Sequence, residues 1–170
     1  MENNHHLFLI GFMGAGKSTV GSLLAKKLSV DFIDLDQVVE DAEEKTIPEL
    51  FSTKGERYFR EKEAEYLKMI KGNKVIATGG GILYFDDTLA WMKENGTVVY
   101  LEAPFSILYQ RIAEDSNRPV ATQNSKEQLE RIFTERHKNY QRAAVDMTVP
   151  SYGEIEETIS AILKKIGKLT

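Results

Sequence analysis

The run Gly11-Phe12-Met13-Gly14-Ala15-Gly16-Lys17-Ser18-Thr19 constrains this chain more than anything else in it. It satisfies G-x-x-x-x-G-K-[ST]. It stands directly after the apolar residues 7–10 and directly before residues 17–28, where Val20, Leu23, Leu24 and Leu28 recur at helical spacing. A strand, a glycine-rich turn and a helix in that order make a phosphate site. The glycines let the backbone turn tightly and come close to an anion, the amides of the first helical turn point at it, and the helix dipole adds positive potential. Lys17 then supplies a mobile cation for the β and γ phosphates, Ser18 a hydroxyl for Mg²⁺, and Thr19 a hydrogen bond for the α phosphate. Gly14, Ala15, Gly16, Lys17, Ser18 and Thr19 are therefore the expected ATP-binding residues.

Composition narrows the class. With 170 residues, 42% of them apolar, the chain is long enough to bury a core as one domain spanning residues 1–170. It has no cysteine, which excludes thiol catalysis, disulfide scaffolds and cysteine zinc sites. A net charge of −4 excludes a general binder of nucleic acid or anionic membrane. The polar residues 1–6 and the short apolar run behind them form neither a signal peptide nor a membrane span, so a cytoplasmic, soluble protein is expected. His5 and His6 read as solvent-exposed or as the start of a strand rather than as metal ligands, because the third histidine, His137, lies far along the chain.

No repeat or linker divides the sequence. Residues 7–10, 32–33, 75–78 and 98–101 are apolar without alternation, as buried parallel strands are, and residues 147–149 make a weaker fifth. Helical patterns fill 17–28, 56–70, 105–113, 126–142 and 154–166. The alternation predicts βαβ units, hence a three-layer α/β/α fold around a five-stranded parallel sheet. Two stretches break it. Residues 34–62 hold a dense acidic and aromatic mixture, and 114–125 are polar with Pro119 near their middle. The first is read as a substrate-binding flap and the second as a lid, with ordinary loops as the alternative.

The phosphate loop does not name the acceptor. No N-K-x-D run reads a guanine base, and the strand at 98–101 ends in Glu102 rather than in the aspartate of a motor ATPase. A small kinase remains. The Asp34-Leu35-Asp36 pair follows the second strand, where open α/β sheets bind ligands, and side chains two apart on extended backbone share a face. Helix capping is the plainer role for either aspartate. Arg57 and Arg60 lie one turn apart with Glu56 at i−4 from Arg60, which is either a solvated ion-paired face or, with Phe59 alongside, a partly enclosed anion site. Gly79-Gly80-Gly81 after the third strand suggests close approach of a ligand or another backbone, or a plain flexible turn. Arg118 before Pro119 can fold a positive charge over the transferring phosphoryl group.

Taken in order, these landmarks, with Phe59-Arg60 followed by Glu63 and with Arg136 and Tyr140 in the helix at 126–142, resemble the shikimate kinase family, P-loop small-molecule kinases related to nucleoside monophosphate kinases. The resemblance spans essentially the whole chain. It implies a P-loop NTPase fold with substrate flap and lid, ATP and shikimate as substrates, Mg²⁺ as cofactor, no nucleic-acid or membrane partner, and a monomer. It implies catalytic roles for Lys17, Asp36 and Arg118, metal contacts from Ser18 and Asp34, and nucleotide contacts from Arg111 and Arg118. It also implies that Asp36, Arg60, Gly79, Gly80, Gly81 and Arg136 hold the acceptor, with Arg60 and Arg136 clamping its carboxylate and Glu63 steadying the arginines. One departure stands out: the family usually follows Arg-Pro with two leucines, and here Val120-Ala121-Thr122 follow. A gluconate-type kinase and a non-catalytic nucleotide-binding module are the alternatives.

Overall fold

The computed structural model describes residues 5–114, 124–145 and 147–168. Among them, β1 (His6–Ile10), β2 (Asp31–Asp34), β3 (Lys74–Ala77), β4 (Gly96–Glu102) and β5 (Thr148–Pro150) form one parallel sheet in the order β2-β3-β1-β4-β5. β1 is central because all five of its residues are buried and it pairs on both edges, Phe8 standing beside Ile76 of β3 and Val98 of β4. The helices are α1 (Lys17–Leu28), α2 (Leu35–Glu43), α3 (Ile47–Lys54), α4 (Glu56–Met69), α5 (Asp86–Glu94), α6 (Phe105–Glu114), α7 (Lys126–Ala143) and α8 (Ile155–Ile166). They cover both faces of the sheet, as the continuous apolar strands require.

The connections create the crevice. The chain leaving β1 runs through α1 to β2 at one edge, whereas the chain leaving the neighbouring β3 crosses to β4 on the other side. The loops after β1 and β3 therefore part at the carboxyl ends of adjacent strands, the place where open α/β sheets bind ligands. α1 lies close under this crevice. Its Gly21 leaves room for Phe32 of β2, whose ring carbon would stand 2.6 Å from any Cβ there. Val20, Leu24 and Ala25 of α1 join the main core with Phe8, Ile76 and Val99 from the sheet.

Residues 34–62 are a helical layer rather than a loop. α2, α3 and the first turns of α4 fill them, and they close on a separate apolar cluster of Val39, Leu50 and Phe59. Local chemistry sets the breaks. Thr46 and Glu49 form a capping box with Pro48 beside it, and Gly55 at φ 88° turns the chain from α3 into α4. α5 had no counterpart in the sequence reading: it is two and a half turns long and buries only Thr88 and Met92, too few positions to declare a helical period. His6 starts β1 and is fully buried, while His5 before it is exposed, so each histidine takes one of the two readings. The 115–123 stretch, with Arg118, Pro119, Val120, Ala121 and Thr122, lies outside the described residues, so the lid reading stays an expectation.

Candidate active site

The phosphate loop takes the form that its glycines permit. Gly14 and Gly16 have φ of 82° and 90°, in the region that side chains disfavour, and the N–H of Val20 closes the first turn of α1 onto the carbonyl of Gly16. Lys17 folds back over the loop and donates through Nζ to the carbonyls of Gly11, at 2.5 Å, and Phe12, at 3.1 Å. The ammonium is thus parked above the phosphate cradle. The Ser18 hydroxyl donates to Asp34 Oδ2 at 2.8 Å, while Asp34 Oδ1 accepts from the Asp36 N–H at 3.1 Å and caps α2. Asp34 therefore caps α2 and reaches the first turn of α1 with the same carboxylate. Asp36, the second residue of α2, lines the same cleft of about 230 Å³ as the loop, Thr78 and Gly79.

A second cavity, of about 340 Å³, adjoins the first through Gly80, which lines both. Arg60 from α4 and Arg136 and Tyr140 from α7 face into it. The glycine run explains how they get there. A Cβ on Gly79 would stand 2.5 Å from Glu63 Oε2 and 2.9 Å from Asp36 Oδ1. On Gly80 it would stand 2.9 Å from an Arg136 nitrogen, and on Gly81 2.3 Å from the guanidinium carbon of Arg60. None of the three glycines has a positive φ, so close approach rather than backbone freedom is the reason for them. What approaches is the charged machinery of the pocket itself.

Arg60 and Arg57 part company. Arg57 pairs with Glu61 in solvent, the solvated face that the spacing allowed. Arg60 keeps 8% of its side chain exposed, stacks on Phe59 with its guanidinium 5.0 Å from the ring centroid, and donates to Glu63 Oε1 at 3.1 Å. Glu56 approaches its Nε at 3.6 Å from the pocket rim. Glu63 is 2% exposed, and burial pushes its carboxyl up to about 7; the nearby Asp36 charge adds to this, while Arg60 and Arg136 oppose it. Tyr140 donates its hydroxyl to the carbonyl of Gly80 and fixes the run from the α7 side; burial raises its own phenol to about 12. Arg111 donates to the carbonyl of Gly14 at 3.0 Å and to that of Ser151 at 2.9 Å, joining the phosphate loop to the turn before α8.

The shikimate kinase family model matches residues 13–167, which includes every one of these groups except Gly11 and Phe12. The shikimate kinase of Persephonella marina is 40% identical over 95% of this chain and 98% of its own length. The chain belongs to the shikimate kinase family. The shikimate kinase of Acinetobacter baumannii, solved in complex with shikimate, superposes with a TM-score of 0.87 at 32% identity, covering 99% of this chain and 96% of that one. A gluconokinase from Sinorhizobium meliloti superposes with a TM-score of only 0.59 at 16% identity, covering 99% of this chain and 95% of that one, a likeness of fold alone.

Of the residues singled out for a shikimate kinase, Lys17, Ser18, Asp34, Asp36, Gly79, Gly80, Gly81, Arg60 and Arg136 line the two adjoining cavities. Arg111 lies at the nucleotide end, and Arg118 is among the residues not described. Two contributors escaped the sequence reading. Thr78 lines the cleft and donates its hydroxyl to the carbonyl of Leu9, tying β3 to β1 below the loop; a single threonine at a strand end carries no signal of that. Glu56 was legible only as a neighbour of Arg60, and its place at the pocket mouth depends on how α4 packs.

Proposed function

We propose that this chain transfers the γ-phosphoryl group of ATP to the 3-hydroxyl of shikimate, giving shikimate 3-phosphate and ADP in aromatic amino-acid biosynthesis. The observation that carries this reading is the convergence of Arg60 and Arg136 on a cavity whose wall, Gly80, is shared with the phosphate-loop cleft. Arginine offers planar, paired donors, and two of them beside a phosphate site suit a small acid that carries one carboxylate and several hydroxyls. The work takes place in the cytoplasm, with the protein as a monomer. Among the described residues no helix is long and apolar enough to cross a membrane.

In this mechanism Lys17 leaves the carbonyls of Gly11 and Phe12 for the β and γ phosphates, which the loop amides from Gly14 to Thr19 hold in place. Asp36, on the wall of the phosphate-loop cleft, accepts the hydrogen bond of the attacking hydroxyl. As the bond from phosphorus to the β–γ bridging oxygen of ATP breaks and the new ester bond forms, the hydroxyl proton passes to the Asp36 carboxylate. Arg118, from the 114–125 lid, supplies positive charge to the transferring group, and Arg111 holds the adenine side. Ser18 and Asp34 fit Mg²⁺: they are one neutral and one anionic hard oxygen donor, 2.8 Å apart at the foot of the loop. Among the described residues no group of three or more acidic, histidine or cysteine side chains makes a cage, which suits an ion shared with nucleotide phosphates. When bound, Mg²⁺ neutralises charge on the phosphates.

The test offers ATP with shikimate, gluconate and nucleoside monophosphates side by side in a coupled ADP assay. ADP release with shikimate alone is expected. Turnover with gluconate in its place would move the acceptor assignment, and nucleotide binding without transfer to any acceptor would favour a non-catalytic module.

A further inference from the structure

Glu63 is a buried acid behind the arginine wall of the acceptor pocket, and the mechanism above does not use it. One oxygen, Oε1, accepts from Arg60. The other, Oε2, is buried and has no hydrogen-bond partner among the described residues. It crowds the same point above Gly79 as Asp36 Oδ1, so two carboxyl groups from α4 and α2 converge on one glycine. The charged and titratable groups facing it are Arg60 on its own helix, Asp36 on α2, and Arg136 and Tyr140 on α7. A buried carboxylate oxygen with no donor is a costly arrangement, and a proton on that oxygen relieves it by turning an acceptor into a donor.

We propose that Glu63 is a proton-accepting counter-ion of the acceptor pocket: it takes up a proton when the acceptor carboxylate settles on Arg60 and Arg136, and so exchanges its own negative charge for that of the ligand. The inference deepens the proposed function and rests on an acidic acceptor. Before binding, the ionised fraction of Glu63, about half of the molecules at pH 7, neutralises Arg60 from below. An arriving carboxylate competes for the same guanidinium, adds a second negative charge nearby and excludes water. Each of these effects disfavours the ionised form of Glu63. The proton comes from solvent and stays on Glu63, with no bond made or broken in the ligand. Asp36 keeps its charge for the attacking hydroxyl, because its buried neighbour is the group that becomes neutral.

Linkage gives the size. Glu63 titrates at about 7, so at pH 7 it starts about half protonated, and full protonation on binding takes up about half a proton per acceptor bound. Where binding holds the proton firmly, the acceptor Kd weakens about tenfold from pH 6 to pH 8. In the test, shikimate is titrated into the full chain by calorimetry at pH 7, in buffers of different ionisation enthalpy, for wild type and Glu63→Gln. The expected result is a wild-type binding heat that changes with buffer and a Kd that rises with pH. Glu63→Gln, which fixes the neutral state, should bind with a buffer-independent heat and a flat pH profile. A difference infrared spectrum of the wild type should show a carboxylic-acid carbonyl band appearing on binding, which needs no variant. Saturable binding with a buffer-independent wild-type heat and no such band overturns the role of Glu63 and leaves the acceptor standing. The absence of saturable binding overturns both.

Discussion

Gly81→Ala isolates the claim that the glycine run exists to admit the acceptor arginines. The backbone at Gly81 is ordinary, with φ −104° and ψ 23°, so alanine adds no backbone strain. The new methyl would stand 2.3 Å from the Arg60 guanidinium carbon and 2.7 Å from one of its terminal nitrogens. Carbon atoms rest about 3.5–4.0 Å apart, so the guanidinium must move by more than about 1 Å. It has little room to do so, held as it is by Glu63 at 3.1 Å and stacked on Phe59. Loss of one charged hydrogen-bond partner is worth about 1.5–3 kcal/mol, which corresponds to roughly a ten- to hundredfold fall in kcat/KM for shikimate. The phosphate loop is untouched, so KM for ATP stays within about twofold of wild type. Thermal stability should fall modestly, because displacing the buried guanidinium from Glu63 outweighs the small gain from replacing glycine in the unfolded chain. Steady-state kinetics with each substrate varied in turn reads all of this. An acceptor kcat/KM within about threefold of wild type, or equal losses for ATP and acceptor, would refute the reasoning.

Asp34 separates capping from catalysis. Asp34→Asn keeps a cap on α2 and should unfold within about 0.5 kcal/mol of wild type while losing turnover, whereas Asp34→Ala should lose a further ~1 kcal/mol; denaturant titration and the coupled assay together check the pair. At the opposite end of β1, burial of the His6 ring lowers its pKa below 6.5, so the folded protein resists a proton that the unfolded chain accepts. Stability from this site is intact above pH 6.5 and is lost as pH falls through the lowered value. His6→Phe, packed against Phe8 and Trp91, should therefore gain on wild type as urea unfolding is repeated from pH 7 down to pH 5, and a constant difference would contradict the assignment. Arg136→Ala should raise KM for shikimate at least tenfold and leave KM for ATP nearly unchanged; equal effects on both would count against the clamp.

How far the sequence reached depended on the range of the interaction that fixed each feature. The phosphate loop was legible because its geometry is local: Gly14, Gly16, Lys17 and Ser18 are neighbours in sequence, and the strand before and helix after them carry their own periodicity. α1 begins and ends where its apolar spacing put it. Asp34 was legible as a cap or as a site residue; the structure shows the cap, and Ser18 across the crevice, which no local pattern announces, takes its other oxygen. The fate of Arg60 was open for the same reason. Its pairs with Glu56 and Glu63 are local, but burial comes from Phe51 and Phe59 and from the glycine run about twenty positions away. The helices before 56 were obscured because α2 and α3 are short and their apolar face closes on a small cluster of its own, with one residue each from α2, α3 and α4. α5, with two buried positions, left no period to read.

The central claim is a specific bond: the phosphorus of the ATP γ-phosphoryl group joined to the 3-oxygen of shikimate. The most direct measurement incubates the purified chain with ATP, Mg²⁺ and shikimate and examines the product by ³¹P NMR with proton correlation. The account predicts a single new phosphate monoester whose phosphorus couples to the proton on carbon 3, formed in equal amount to ADP. Coupling to a different ring proton would contradict the acceptor geometry, and ADP accumulating without any phosphorylated shikimate would contradict the function itself.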